Sequence, residues 1–302
     1  MSLGNYDVKH FDSAKELIQY LSPIESRWEC QDFVFRGQGD SQYQLVPSAC
    51  RRHPGSFFSE NPTAIFGDKS DNQVLYEQTV LKRFLDGCDN SGLVVPGYSD
   101  EVKRLLRGDI SERFLPAVTW PRDQYHELLA AAQHHGVPTR LLDWSRRSYV
   151  AAYFAATTAD YTKSDSQIAI WALNLKRQKK WKTIKIIDPP GGVSRNLAAQ
   201  SGIFTMQYNS DLMCDDYLAS PLEESLELYQ HGEQIVNLLK MTLSVCEVPK
   251  LVKYCSKLGV SGTTLFPGYE GVARDVVGWA KEHIGIKGFY ELDELDADDF
   301  RG

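Results

Sequence analysis

Thirteen consecutive residues, Gln133-His-His-Gly-Val-Pro-Thr-Arg-Leu-Leu-Asp-Trp-Ser145, carry two imidazoles, a guanidinium, a carboxylate, two hydroxyls and an indole. A hydrophobic core needs no such density of polar groups, so the segment reads as the wall of a site. Its companion lies upstream in Asp32-Phe-Val-Phe-Arg-Gly37, where an arginine closes an apolar run. On a strand covered on both faces, the Arg36 guanidinium must meet a carboxylate, backbone carbonyls or an anionic ligand. Its fork of donors suits bidentate phosphate or carboxylate, and Gly37 would let a ligand approach the backbone beside Gln38. The competing role is an internal ion pair, with Asp143 as the partner.

His134 and His135 fall at the end of an expected helix, where the negative end of the dipole favours a charged imidazole. Adjacent helical residues point about 100° apart, so the two cannot serve one site alike; each is a general acid, a phosphate contact or a cap. From Thr139 to Trp144 the residues alternate, with Thr139, Leu141 and Asp143 on one face and Arg140, Leu142 and Trp144 on the other. Asp143 ends a strand just before a helix, an address for ligand-binding groups and equally for an Asx-type cap. Trp144 would stack on a ligand ring or shield Arg140. Glu270 is either an acid on a turn or a favourable charge at a helix start.

These residues require elements to hold them. Ser13-Ala-Lys-Glu16 predicts a helix over 13–21, and Phe33–Arg36 a buried strand. The spacing predicts helices over 74–85 and 122–135, the latter stopped by Gly136, with irregular stretches at 52–72 and 87–99. Thr139–Asp143 is expected to be extended, with Ser145 capping a helix over 146–159. Strands are expected at 168–173, 184–187, 203–207 and 241–248, and helices at 194–200 (closed by Gly202), 249–258 and 271–283. The acidic stretch 209–233 carries no pattern.

The whole is expected to form one compact α+β unit with a central mixed or antiparallel sheet and flanking helices. Its 302 residues, 42% hydrophobic and 24% charged, suit one large domain or two smaller ones. A net charge of −7 and an isoelectric point near 5.6 argue against non-specific nucleic acid and anionic lipid as partners, although paired basics occur at Arg51-Arg52 and Arg146-Arg147. The start lacks the order of a signal peptide and no apolar run approaches the roughly eighteen residues of a span, so a cytoplasmic protein without membrane contact is expected. The six cysteines contain no Cys-x-x-Cys pair and predict reduced thiols and no metal. No Walker A, Rossmann, nucleophile-elbow or His-Glu-x-x-His motif occurs.

The chain resembles the FRG domain family, distributed largely among bacteria and phages. The resemblance rests on Phe35-Arg36-Gly37, Gln44–Ser48 with Arg51, the block 133–145, Ala151–Ala155, Gln200–Thr205 and Thr264–Gly271. It implies an FRG domain over 31–285, preceded by a helical extension at 1–30 and followed by an acidic tail at 286–302. A weaker resemblance, to ADP-ribosyltransferases of the arginine-serine-glutamate type, implies such a core with helical insertions and NAD as cosubstrate. There an aromatic-Arg-Gly strand holds the dinucleotide, and a glutamate stabilises the developing cation. This chain shows no Ser-Thr-Ser triplet and no late Glu-x-Glu, which leaves the acid among Asp143, Glu247 and Glu270. Taken together, the catalytic candidates are Arg36, His134, His135, Asp143 and Glu270. The ligand-binding candidates are Arg36, Gly37, Gln38, Gln133, Thr139, Arg140, Trp144, Ser145, Tyr153 and Phe204. The expected ligand is a nucleotide or another phosphate-bearing molecule, for ADP-ribosyl transfer or NAD hydrolysis. The alternative is a non-enzymatic sensing or protein-interaction module of a phage-defence or toxin system.

Overall fold

A computed structural model describes residues 6–29, 32–51, 70–107, 120–160, 163–193, 195–208, 221–225 and 237–284. Of the loop expected at 52–72, residues 52–69 lie outside the described residues, as do most of 209–233 and the acidic tail, while 70–72 already belong to a helix. The class is α+β. The helices are α1 (Ala14–Tyr20), α2 (Ser26–Glu29), α3 (Ser70–Asn90), α4 (Asp100–Arg107), α5 (His126–His134), α6 (Ser148–Thr157), α7 (Arg195–Gln200), α8 (Val248–Lys257), α9 (Gly262–Leu265) and α10 (Tyr269–Ile284). The strands are β1 (Asp7–Phe11), β2 (Phe33–Gln38), β3 (Leu141–Ser145), β4 (Gln167–Asn174), β5 (Ile184–Ile187), β6 (Gly202–Gln207) and β7 (Leu238–Ser244). The chain forms two compact units, each built from separate stretches of sequence.

The first unit comprises 1–6, 44–146 and 174–238. Its strands run β3-β6-β5, both pairings antiparallel. Val74, Leu81 and Leu85 of α3 recur at helical spacing and join Val102 and Leu106 of α4 and Leu128, Leu129 and Ala132 of α5. This cluster closes on Leu141, Ile187, Phe204 and Met206. Helix α5 ends as its sequence dictates: Gly136 takes φ +80, and the Val137 amide donates to the Ala132 carbonyl. Helix α4 was not expected, because it offers few apolar residues among its charges; the Ser99 hydroxyl caps it by accepting from the Val102 amide at 3.1 Å.

The strand expected at 139–143 starts and ends two residues later. Thr139 is held before it, its carbonyl accepting from the Ala49 amide and its amide donating to the Ser48 hydroxyl. Pairing then persists through Ser145 opposite Gly202, and the Arg146 amide donates to the Ser201 carbonyl. Ser145 is therefore a strand residue and does not cap the next helix; its hydroxyl donates to the Gln200 carbonyl at 2.7 Å. At the end of α7 it is Ser201, at φ 48, that takes the left-handed conformation expected of Gly202.

The second unit comprises 7–43, 147–173 and 239–302, with strands in the order β1-β7-β4-β2. Strand β1 was not expected, since four of its five residues are exposed; it pairs parallel with β7 from Asp7↔Leu239 to Phe11↔Leu243. Ser13 caps α1 by accepting from the Glu16 amide. Strand β7 stops at Ser244 rather than 248, because 245–247 form a turn whose Glu247 carboxylate accepts from the Ala14 amide at 3.0 Å. Strand β4 is buried on both faces, as its unbroken apolar run requires. The core gathers Leu17 and Leu21, Val150, Ala151 and Ala155, Ile168 and Ile170, Met241 and Leu243, Leu251 and Cys255. Helix α6 begins at Ser148, whose hydroxyl donates to the Leu21 carbonyl at 2.6 Å. Helix α8 opens on Val248-Pro249 and stops at Gly259, φ +75.

Candidate functional site

In the second unit the Phe-Arg-Gly triplet serves helix packing. A Cβ on Gly37 would lie 2.0 Å from the Ala151 carbonyl oxygen and 2.5 Å from the Ala155 amide nitrogen. The backbone that comes close to this glycine is thus helix α6, where the sequence suggested a ligand. Gln38 is buried and accepts from the Trp171 indole at 2.7 Å, while Arg36 is half-buried on the same strand. Tyr153 lies in the core; burial, reinforced by negative Asp275, pushes its phenol up to about 12. Glu270 sits exposed in the first turn of α10, paired with Arg274 at 2.7 Å, and Glu247 pairs with Lys250 at 2.6 Å.

In the first unit most of the central block points inward. The Arg140 guanidinium, 2% exposed, holds Glu77 through two bonds of 2.6 and 2.7 Å and donates to the Gln207 carbonyl. Glu77 also accepts from the Trp120 indole at 2.8 Å and from Gln73 at 2.9 Å, so the buried carboxylate is well supplied with donors. The Trp144 indole donates to the Thr205 hydroxyl at 2.9 Å within the interior, and Phe204 is core. Gln133 ties three groups together: it accepts from the Thr139 hydroxyl and donates to the Leu141 carbonyl and to Asp143. Gln133, Thr139 and Asp143 are therefore joined by hydrogen bonds. Asp143, His134 and His135 face solvent, with the His134 ring 4.9 Å from that of His135 and 3.4 Å from the Asn196 amide. Arg36 and Glu270 belong to one unit and the block to the other.

Two clefts open on the first unit, and the residue Ile186 of β5 lines both. One, about 420 Å³, presents Ser99, Asp123, Gln124, His126, Glu127 and Asp188. The other, about 400 Å³, presents Gln178, Lys179, Trp181, Lys182, Lys185 and Tyr208. A turn at 178–180 directs this second wall, closed by the Trp181 amide donating to the Gln178 carbonyl. Pairing of the Tyr208 amide with the Thr183 carbonyl fixes the opposite side.

A charged bridge connects the two linings: the Lys185 ammonium reaches Asp123 at 2.6 Å, and the Tyr208 hydroxyl lies 3.4 Å from the same carboxylate oxygen. The Lys185 bond holds the Asp123 carboxyl below its usual value, against the effect of burial. Burial acts against the Lys185 charge, but Asp123 and Tyr208 outweigh it and raise its pKa. His126 Nε2 is buried, forms no hydrogen bond among the described residues and lies 3.5 Å from Asp123; burial lowers its pKa.

The sequence reading passed over this basic wall, although Lys176, Arg177, Lys179, Lys180, Lys182 and Lys185 crowd around one tryptophan with no acid among them. That run is the signal, since it concentrates positive charge locally in an acidic chain.

Among known protein families, the model of the FRG domain matches residues 31–164. No curated protein and no solved structure matches the chain. Among the described residues no helix is long and apolar enough to cross a membrane.

Proposed function

The chain carries an FRG domain, and from that premise we propose that it is a ligand-sensing module that binds a small phosphate-bearing, nucleotide-like molecule in the basic cleft of the first unit. The observation that carries this is the convergence of Lys179, Lys182 and Lys185 with Trp181 and Tyr208 around about 400 Å³. Ammonium groups neutralise phosphate as point charges, and an indole offers a face on which a base stacks. The matched residues supply the neighbouring Asp123–Glu127 wall, and the later stretch supplies the lysines. Binding without turnover is favoured because each candidate acid is engaged elsewhere: Asp143 by Gln133, Glu270 by Arg274 and Glu247 by Lys250.

Titration calorimetry with ADP-ribose, NAD and ATP tests the proposal, with Trp181→Ala and Lys182→Glu as controls. Saturable binding is expected, weakened about tenfold or more by Trp181→Ala as a stacking contact requires. Absence of binding to all three would defeat it. An oligonucleotide bound far more tightly than any mononucleotide would also defeat it, and so would NAD consumption detected by mass spectrometry.

A further inference from the structure

We infer that Asp123 is a built-in competitor for the basic cleft, occupying the lysine that an incoming phosphate must take. The inference rests on the ligand reading above and adds regulation to that site. Lys185 lines the basic cleft, yet its ammonium donates to Asp123, a residue of the neighbouring lining. Both side chains retain solvent access, 40% for Lys185 and 70% for Asp123, so the pair can open without exposing buried surface.

A phosphate reaching Lys185 meets a tethered carboxylate already in place, whose effective concentration is high because it needs no translational search. A terminal phosphate carries more charge than the carboxylate, about −1.5 to −2 at neutral pH against −1, and a diphosphate offers two charged groups where Asp123 offers one. Tyr208 stands beside the exchange, its hydroxyl within reach of the same carboxylate oxygen and its pKa raised by burial, so it stays a neutral donor. His126 Nε2 lies 3.5 Å from Asp123 on the other side of the bridge.

The test is calorimetric titration of the full chain with pyrophosphate and with ADP-ribose, comparing wild type, Asp123→Asn, Asp123→Glu and Lys182→Glu. Asp123→Asn removes the competitor and is expected to tighten binding about two- to fivefold, the range set by an exposed ion pair. Asp123→Glu should restore wild-type affinity, and thermal melts should show every variant folded. A merely structural Asp123 would weaken binding when neutralised, so a gain separates the two roles. Unchanged or weaker binding by Asp123→Asn, with wild-type binding that Lys182→Glu abolishes, would overturn the inference and leave the ligand reading standing. Failure of wild type and Asp123→Asn alike to bind would overturn both. Binding by Asp123→Asn alone would support the competitor role.

Discussion

Two ion pairs in the first unit have the same 2.6 Å separation and opposite surroundings. The Arg140–Glu77 pair has side chains 2% and 3% exposed; those of Lys185–Asp123 are 40% and 70% exposed. Distance alone would rank them as equals. The first is surrounded by Trp120, Gln73 and the Gln207 carbonyl, which supply its buried charges with further hydrogen bonds, and the pair locks α3 to the start of β3. The second leaves both charges open to solvent at the rim of a cleft. Burial, not contact geometry, separates a charge that builds the fold from one available for recognition.

The largest effect that could break this contrast is at the buried pair. Glu77→Ala leaves the Arg140 charge buried and uncompensated, which is expected to cost about 3–5 kcal/mol of stability by denaturant unfolding. A loss under about 1 kcal/mol would place the two pairs in the same class. Lys185→Gln sharpens the comparison from the other side. Stability should change by no more than about 1 kcal/mol, because exposed pairs contribute little. Pyrophosphate affinity should meanwhile fall about tenfold, as expected on losing a charged hydrogen bond. A destabilisation as large as that of Glu77→Ala would make Lys185 an architectural residue.

The same contrast explains what could be read in advance. Hydrophobic periodicity and Gly136 gave α5 correctly, and the Phe33–Arg36 run gave β2, because both signals are local. The roles within the block depended on partners far away in sequence. Nothing near Arg140 announces Glu77, nothing near Trp144 announces Thr205, and nothing in Arg36-Gly37 announces that α6 will occupy the space beside the glycine. Polar density says nothing about direction, and here much of it turns inward. The basic run at 176–185 was legible as charge; its becoming a cleft required the pairing of β5 with β6, which brings Tyr208 opposite the lysines.

The smallest expected effect concerns His126, which stands between the two regimes, buried yet beside the exposed bridge. Its folded pKa is lowered from 6.5, first by burial and further by the Lys185 charge, with Asp123 opposing. The unfolded chain therefore takes up a proton at His126 before the folded chain does. Stability from this group is complete above pH 6.5 and is lost as the pH falls toward the lower folded value. Asp123, whose own pKa is held below 3.8, contributes stability that is present above that pH and lost only below it, so its window opens at lower pH than that of His126. His126→Gln should flatten the dependence of the unfolding midpoint on pH just below 6.5 and leave the acid limb unchanged. Lys185→Gln, by removing a repelling charge, should shift the His126 loss to slightly higher occupancy of the protonated folded state and so soften it. Melting curves collected across this range decide the matter: parallel losses in wild type and His126→Gln would show that burial does not hold this imidazole neutral and would place it with the exposed bridge rather than with the buried pair.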